Sequence, residues 1–285
     1  MRNLALMWVL AGCLLGCGGR NAKDKADMAA VIPDTVAAAP DTVAVAPDTD
    51  TTFTDKRDGK VYKIVKIGSQ IWFAENLNYV TEGSKCYGEG GKIFIKTLIE
   101  RDDNNKIKGI KDITKTLSDA EVQANCSKYG RLYTWDAAMK ACPTGWHAPT
   151  FAEWDTLKEF VEDEYTADEG YTAGKKLKST SGWDDWKGKS GNGMDEYGFS
   201  ALPGGSTHGR DADGSIFPDI AGKRGNWWSA TEIEYCIDDQ GNCGWDYAKS
   251  RGMGYYGGSL TLSYTYKDEF MSVRCVLDDE KETRK

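Results

Sequence analysis

Six cysteines, Cys86, Cys126, Cys142, Cys236, Cys243 and Cys275, constrain this chain more than any other feature. An even number of thiols in an exported domain is expected to pair, and every pair fixes two distant points of the fold. Counting alone allows fifteen connectivities. Cys236 with Cys243 is favoured locally, because the segment Ile237-Asp238-Asp239-Gln240-Gly241-Asn242 between them reads as a turn. Cys86 with Cys126 would then close an insertion at about residues 90–122, and Cys142 with Cys275 would tie mid-chain to the C-terminal end. Metal or redox use is the weaker alternative, since the chain has no C-x-x-C and only two histidines.

Export is itself read from the N-terminus. Met1-Arg2-Asn3 begins with positive charge, and Leu4 to Leu15 is apolar but too short to span a bilayer. Two cysteines stand in segments shaped like a bacterial lipoprotein box, Leu10-Ala11-Gly12-Cys13 and Leu14-Leu15-Gly16-Cys17. Cys13 fits the box better but implies an unusually short signal. Cys17 leaves an ordinary apolar region and a Gly-Gly start, so residues 1–16 are expected to be the signal peptide and Cys17 the lipidated residue, with Cys13 the alternative. The expected location is the outer membrane or cell surface, held to the membrane by the N-terminal lipid.

Residues 17–52 read as a tether. Proline recurs every seventh residue in Pro33-Asp34-Thr35-Val36, Pro40-Asp41-Thr42-Val43 and Pro47-Asp48-Thr49. That period cannot be a coiled coil, because each proline removes a helix donor and clashes with the preceding turn. At ~3.1 Å per residue, such a segment reaches on the order of 100 Å when extended. Residues 53–278 read as one domain, dense in Trp, Tyr, Gly and charge, and 279–285 as a polar tail.

Within the domain, Lys60 to Ile67 alternates like a half-buried strand, Gly68-Ser69 turns, and Gln70 to Phe73 returns as its partner. Lys92–Glu100 and Lys106–Ile113 flank Asp102-Asp103-Asn104-Asn105 as a hairpin in the insertion. Ser118 with Glu121, and Thr150 with Glu153, have capping-box spacing and start helices. The first runs to about Gly130. The second carries Phe151, Trp154, Leu157, Phe160 and Val161 as a core stripe. Another helix is expected over Trp135–Ala141, stopped by Pro143. Leu260–Tyr266 and Met271–Val276 read as closing strands.

Several ordered blocks resemble the major paralogous domain of Fibrobacter succinogenes over about Thr54 to Leu277. They include Gln70-Ile71-Trp72-Phe73-Ala74-Glu75-Asn76-Leu77, Tyr129-Gly130-Arg131-Leu132-Tyr133-Thr134-Trp135, Cys142-Pro143 with Gly145-Trp146-His147, Trp227-Trp228-Ser229-Ala230-Thr231-Glu232 and Ser272-Val273-Arg274-Cys275-Val276. That family is similar to the C-type-lectin-like fold shared with formylglycine-generating oxidases. The resemblance implies an α+β domain, disulfide-braced and loop-rich, with two or three short helices, mostly antiparallel strands, and paired N- and C-terminal strands. It also supports pairing Cys142 with Cys275. It implies no activity.

A net charge of -8, with 36 Lys plus Arg against 44 Asp plus Glu, argues against nucleic acid as a partner. No G-x-S-x-G, H-E-x-x-H or phosphate-binding glycine loop is present, and Cys236 and Cys243 do not match the oxidase copper motif. A paired-carboxylate glycosidase has no supporting motif either. The chain is therefore expected to be no enzyme and to bind a polysaccharide or an envelope protein. Trp183, Trp186, Trp245, Tyr247, Tyr255 and Tyr256 are the ligand-binding candidates, because they lie beside carboxylates in Gly-rich stretches where flat rings can stack on sugar faces. Asp211, Asp213 and Asp219 offer oxygen ligands to calcium, although a solvated acidic turn explains them more simply. No other cofactor is expected. His147, in a Trp-rich block, reads as a packed, hydrogen-bonded residue rather than a base.

Overall fold

The computed structural model describes residues 52–163, 170–210, 216–236 and 243–278. The expected signal peptide, the expected tether up to residue 51, the expected tail at 279–285, and Asp211 and Asp213 lie outside them, whereas Thr52 belongs to β1. Chain order is β1 (Thr52–Thr54), β2 (Val61–Ile67), β3 (Gln70–Phe73), β4 (Ser84–Lys85), β5 (Lys92–Arg101), β6 (Ile107–Thr116), α1 (Asp119–Tyr129), β7 (Leu132–Tyr133), α2 (Trp135–Ala141), β8 (Trp146–His147), α3 (Phe151–Val161), α4 (Ala173–Leu177), β9 (Ser206–Arg210), β10 (Ile216–Asp219), β11 (Arg224–Cys236), β12 (Cys243–Gly254), β13 (Thr261–Tyr266), β14 (Met271–Ser272) and β15 (Val276–Leu277).

The result is an α+β domain built on two larger sheets. One has the order β1-β2-β3-β15-β8 and the other β13-β12-β11-β14-β7-β4; β9 with β10 and β5 with β6 form separate ribbons. Among the described strands, pairing is antiparallel except between β11 and β14, where Trp227 meets Ser272 in parallel; isolated parallel bridges join Lys178 to Ala201 and Gly205 to Gly225. Disulfides join Cys86 to Cys126 and Cys142 to Cys275. Cys236 and Cys243 face each other across the β11–β12 pair, and their side chains lie outside the described ones.

Strand alternation decides how the core divides. In β3, Trp72 enters one apolar cluster with Trp154, Leu157, Phe199 and Trp227, while Phe73 enters the other with Tyr62, Tyr133, Trp146 and Trp228. The adjacent pair Trp227 and Trp228 splits the same way, because successive strand side chains point to opposite faces. Both indoles are fully buried and donate, Trp227 to Asn76 Oδ1 at 2.8 Å and Trp228 to the Tyr133 carbonyl at 2.7 Å.

The helices follow their caps. Ser118 accepts from the Glu121 amide and Thr150 from the Glu153 amide, and each Glu reaches back to the cap residue's own amide. On α3, Trp154, Leu157 and Val161 are buried, but Phe160 is 55% exposed, which corrects its place in the core stripe. It lies about one residue's rotation off that stripe and covers the hairpin turn at Gly68 beside Tyr197. A fourth helix, α4, has five residues, too few to show a periodic stripe in sequence.

The expected closing strand Met271–Val276 is two strands. β14 belongs to the six-stranded sheet and β15 to the five-stranded sheet, and Val273-Arg274-Cys275 crosses between them. Arg274 is wholly buried at that crossing. It donates to Asn76 Oδ1 from Nη2 at 2.9 Å and to the carbonyls of Phe199, Phe73 and Ser200, with its guanidinium 4.3 Å from the Phe199 ring centre. Asn76 in turn donates to the Tyr129 carbonyl at 2.9 Å and to Ser272 Oγ at 3.3 Å. One amide thus links β3's exit, α1, β11 and the sheet crossing.

Candidate functional site: an exposed three-ring platform

Trp186 is carried by a tight turn. Its amide and carbonyl both pair with Lys189, and the two residues between, Lys187 and Gly188, have φ of 50° and 77°. Positive φ at both central positions is what a type I′ hairpin requires, and glycine supplies it at little cost. Tyr255 and Tyr256 leave the end of β12, and the Tyr255 amide is fixed by the Lys223 carbonyl at 2.9 Å. Gly191 lets the two segments close together. A Cβ there would stand 2.2 Å from the Asp184 carbonyl and 2.8 Å from that of Tyr255.

Three rings consequently meet at the surface. Trp186 and Tyr255 have centroids 5.2 Å apart at 79°, Tyr255 and Tyr256 5.7 Å apart at 77°, and Trp186 and Tyr256 6.3 Å apart at 62°. Trp186 is 41% and Tyr256 51% exposed, and Tyr255 is half-buried. Of the eight tryptophans whose side chains are described, Trp186 alone is exposed. Lys187 lies 5.3 Å from the Trp186 ring and Lys223 5.8 Å from the Tyr255 ring. A cleft of about 510 Å³ adjoins the platform through Asp184 and Lys223, and Tyr87, Asn125, Tyr129 and Ile220 also line it. Flat rings beside a carboxylate and an ammonium can stack on an apolar sugar face and exchange hydrogen bonds with its hydroxyls.

Trp183 and Tyr247 are not part of this site. Trp183 is 4% exposed and donates to the Ala201 carbonyl at 3.0 Å from inside the core. Tyr247 is 8% exposed, with its ring 4.2 Å from that of Tyr266. Each is held by packing and leaves no face for a ligand. The Trp245 side chain lies outside the described ones. So do the calcium candidates: Asp211 and Asp213 are outside the described residues, and of Asp219 only the backbone, in β10, is described. Among the described residues, no three His, Cys, Asp or Glu side chains converge as a metal site.

His147 is a latch. Its Nε2 lies 2.8 Å from Glu153 Oε1 and its Nδ1 2.6 Å from Asp278 Oδ1, so β8, α3 and the residue after β15 meet on one ring. Hydrogen bonding to Glu153 is the main cause that raises its pKa to about 9, against the opposing effect of burial, with Asp278 adding to the rise. The folded value exceeds the unfolded one of 6.5. The latch therefore contributes fully below about pH 6.5 and is lost as pH rises through about 9. We expect the urea midpoint to fall across that window in the wild type, and H147Q to remove this part of the fall. Parallel profiles for the two proteins would show that the latch carries no stability.

Sequence reasoning missed the buried cations Arg131, Lys178, Arg251 and Arg274, of which Lys178 and Arg274 are the most deeply buried. Arg274 lies in one of the resemblance blocks, which is a signal of sorts; Lys178 lies in none, and its burial depends on loops far along the chain.

No curated relative and no solved structure matches the chain. The family model for the Fibrobacter succinogenes major domain matches residues 65–277, most of the described domain and three quarters of the chain. This chain belongs to the Fibrobacter succinogenes major domain family.

Proposed function

We propose that the protein is a cell-envelope lipoprotein whose major domain is a non-catalytic, lectin-like binding module, and that it grips polysaccharide on the Trp186, Tyr255 and Tyr256 platform. One observation carries this reading: in a domain that buries its other described tryptophans, these three rings are gathered at the surface beside a cleft of mixed lining that includes Asp184 and Lys223. The lipoprotein box at Cys17 and the proline-spaced tether support display away from a lipid surface. A C-type-lectin-like architecture is supported by β15, near the C-terminal end, pairing with β3, near the start of the domain, and by α2 ending at Cys142, which bonds Cys275.

The test is a pull-down of the soluble domain on cellulose, xylan and pectin, alongside a glycan array. Trp186→Ala should weaken retention about tenfold or more, on the order of 1.4 kcal/mol, while the unfolding midpoint changes little. A folded domain that no polysaccharide or glycan retains removes the sugar reading.

A protein-interaction role is the second reading. β13 is an edge strand among the described strands, and it exposes Leu262, Tyr264 and Tyr266 at alternate positions on one face. Specific envelope proteins recovered by cross-linking, with no polysaccharide bound, would favour it.

A further inference from the structure

Lys178 is 2% exposed, yet it carries an ammonium. It caps α4, where its amide donates to the Gly174 carbonyl at 2.9 Å. Its Nζ donates to three carbonyls, those of Gly191 at 2.6 Å, Gly257 at 3.0 Å and Gly254 at 3.1 Å. An ammonium has three N–H donors, so all are used. The Trp183 ring lies 4.9 Å from Nζ. Burying a cation without a carboxylate partner is costly, and an apolar side chain of similar length would fill the same space at a lower cost of desolvation.

The positions of the three carbonyls explain why a cation is used. Gly191 lies just beyond the hairpin that presents Trp186, while Gly254 and Gly257 bracket Tyr255 and Tyr256. The two segments come from parts of the chain more than sixty residues apart. The segments also meet at Gly191, through the rings themselves, and through the Gly222-Lys223 turn, whose carbonyls accept from the Asp184 and Tyr255 amides; the Lys178 ammonium adds a direct polar bridge between their backbones. We propose that Lys178 is the positioning residue of the platform: its ammonium ties the Trp186 segment to the Tyr255–Tyr256 segment and sets the spacing of the three rings on which binding depends. This inference rests on reading the platform as a binding surface.

A pH dependence follows. Burial is the main cause that lowers the Lys178 pKa to about 8, and Lys175, the charged side chain acting on it from α4, lowers it further. The Trp183 ring and the carbonyls of the two platform segments also face it. When the ammonium loses its proton, it loses a donor and its charge, so the tie weakens as pH rises through about 8.

The experiment follows the indole N–H resonance of Trp186, assigned by its loss in W186F, together with retention on cellulose, xylan and pectin, from pH 6.5 to 9.5. In the wild type, the resonance should move with a midpoint near pH 8, and retention on any polysaccharide that binds should fall about fivefold or more. In K178M, with the signals of the buried tryptophans retained, the Trp186 resonance should be displaced already at pH 7, retention should drop about tenfold, and both should lose their dependence on pH. If K178M does not fold, the wild-type titration decides the matter alone. A Trp186 resonance that is flat through pH 8, or unmoved in K178M, overturns the tie. If the wild type binds no polysaccharide at any pH, the function reading fails and the binding role fails with it, while the resonance still decides whether Lys178 joins the two segments.

Discussion

Replacing both Cys142 and Cys275 with serine should lower the stability of the domain by about 4 kcal/mol, a large part of the roughly 5–15 kcal/mol that holds an ordinary domain folded. The two residues are 133 apart in sequence, so the bond removes the entropy of a long loop from the unfolded chain. It also joins the C-terminal end of α2 to the residue that precedes β15. Cys275 is fully buried in the cluster that holds Phe73 and Trp228, and serine would place a hydroxyl among apolar groups. Urea unfolding of the double variant, compared with the wild type with and without reductant, measures the effect. A midpoint within error of the wild type would show that packing alone closes the domain.

Arg274→Ala should cost about as much, roughly 3–5 kcal/mol, because it combines a buried cavity with polar acceptors left without a donor. The acceptors are Asn76 Oδ1 and the carbonyls of Phe73, Phe199 and Ser200. Burial pushes the guanidinium down to about 9, while the charges of Asp195 and Glu75 act to raise it. The side chain is therefore still charged at neutral pH, held by neutral oxygens and the face of Phe199 rather than by a contacting carboxylate. Arg274→Met should recover part of the loss by filling volume without supplying donors. If R274A and R274M lose equally little, under about 1 kcal/mol, then the sheet crossing is held by its backbone and not by this side chain.

How far the sequence could be read depended on the range of the interactions. The capping boxes at Ser118 and Thr150 involve residues three apart, and both helices start where those pairs place them. The opening hairpin was visible as alternation around Gly68-Ser69, and the insertion ribbon as two strand-like runs around Asp102 to Asn105. Phe160 was misplaced because helical spacing puts it at the margin of the buried stripe, and only the position of the β2–β3 turn decides which side of that margin it occupies. The split of Met271–Val276 was hidden for a related reason: β propensity does not say which sheet a strand will join.

The aromatic candidates show the same limit. Trp183 and Trp186 are three residues apart, and both stand beside Asp184 or Asp185. One is core and the other is surface, since Trp183 finds the Ala201 carbonyl and the apolar cluster around Trp227, while the turn at Lys187-Gly188 holds Trp186 away from them.

By itself, the sequence determined the local elements and the family of the domain: its caps, turns and alternating strands, and the ordered blocks that the family match confirms. The tertiary structure alone decided which rings stay wet and where the buried cations sit. Arg274 reaches Asn76 across 198 residues and Lys178 reaches Gly257 across 79, and burial at such distances depends on how the whole chain packs, which no local pattern encodes.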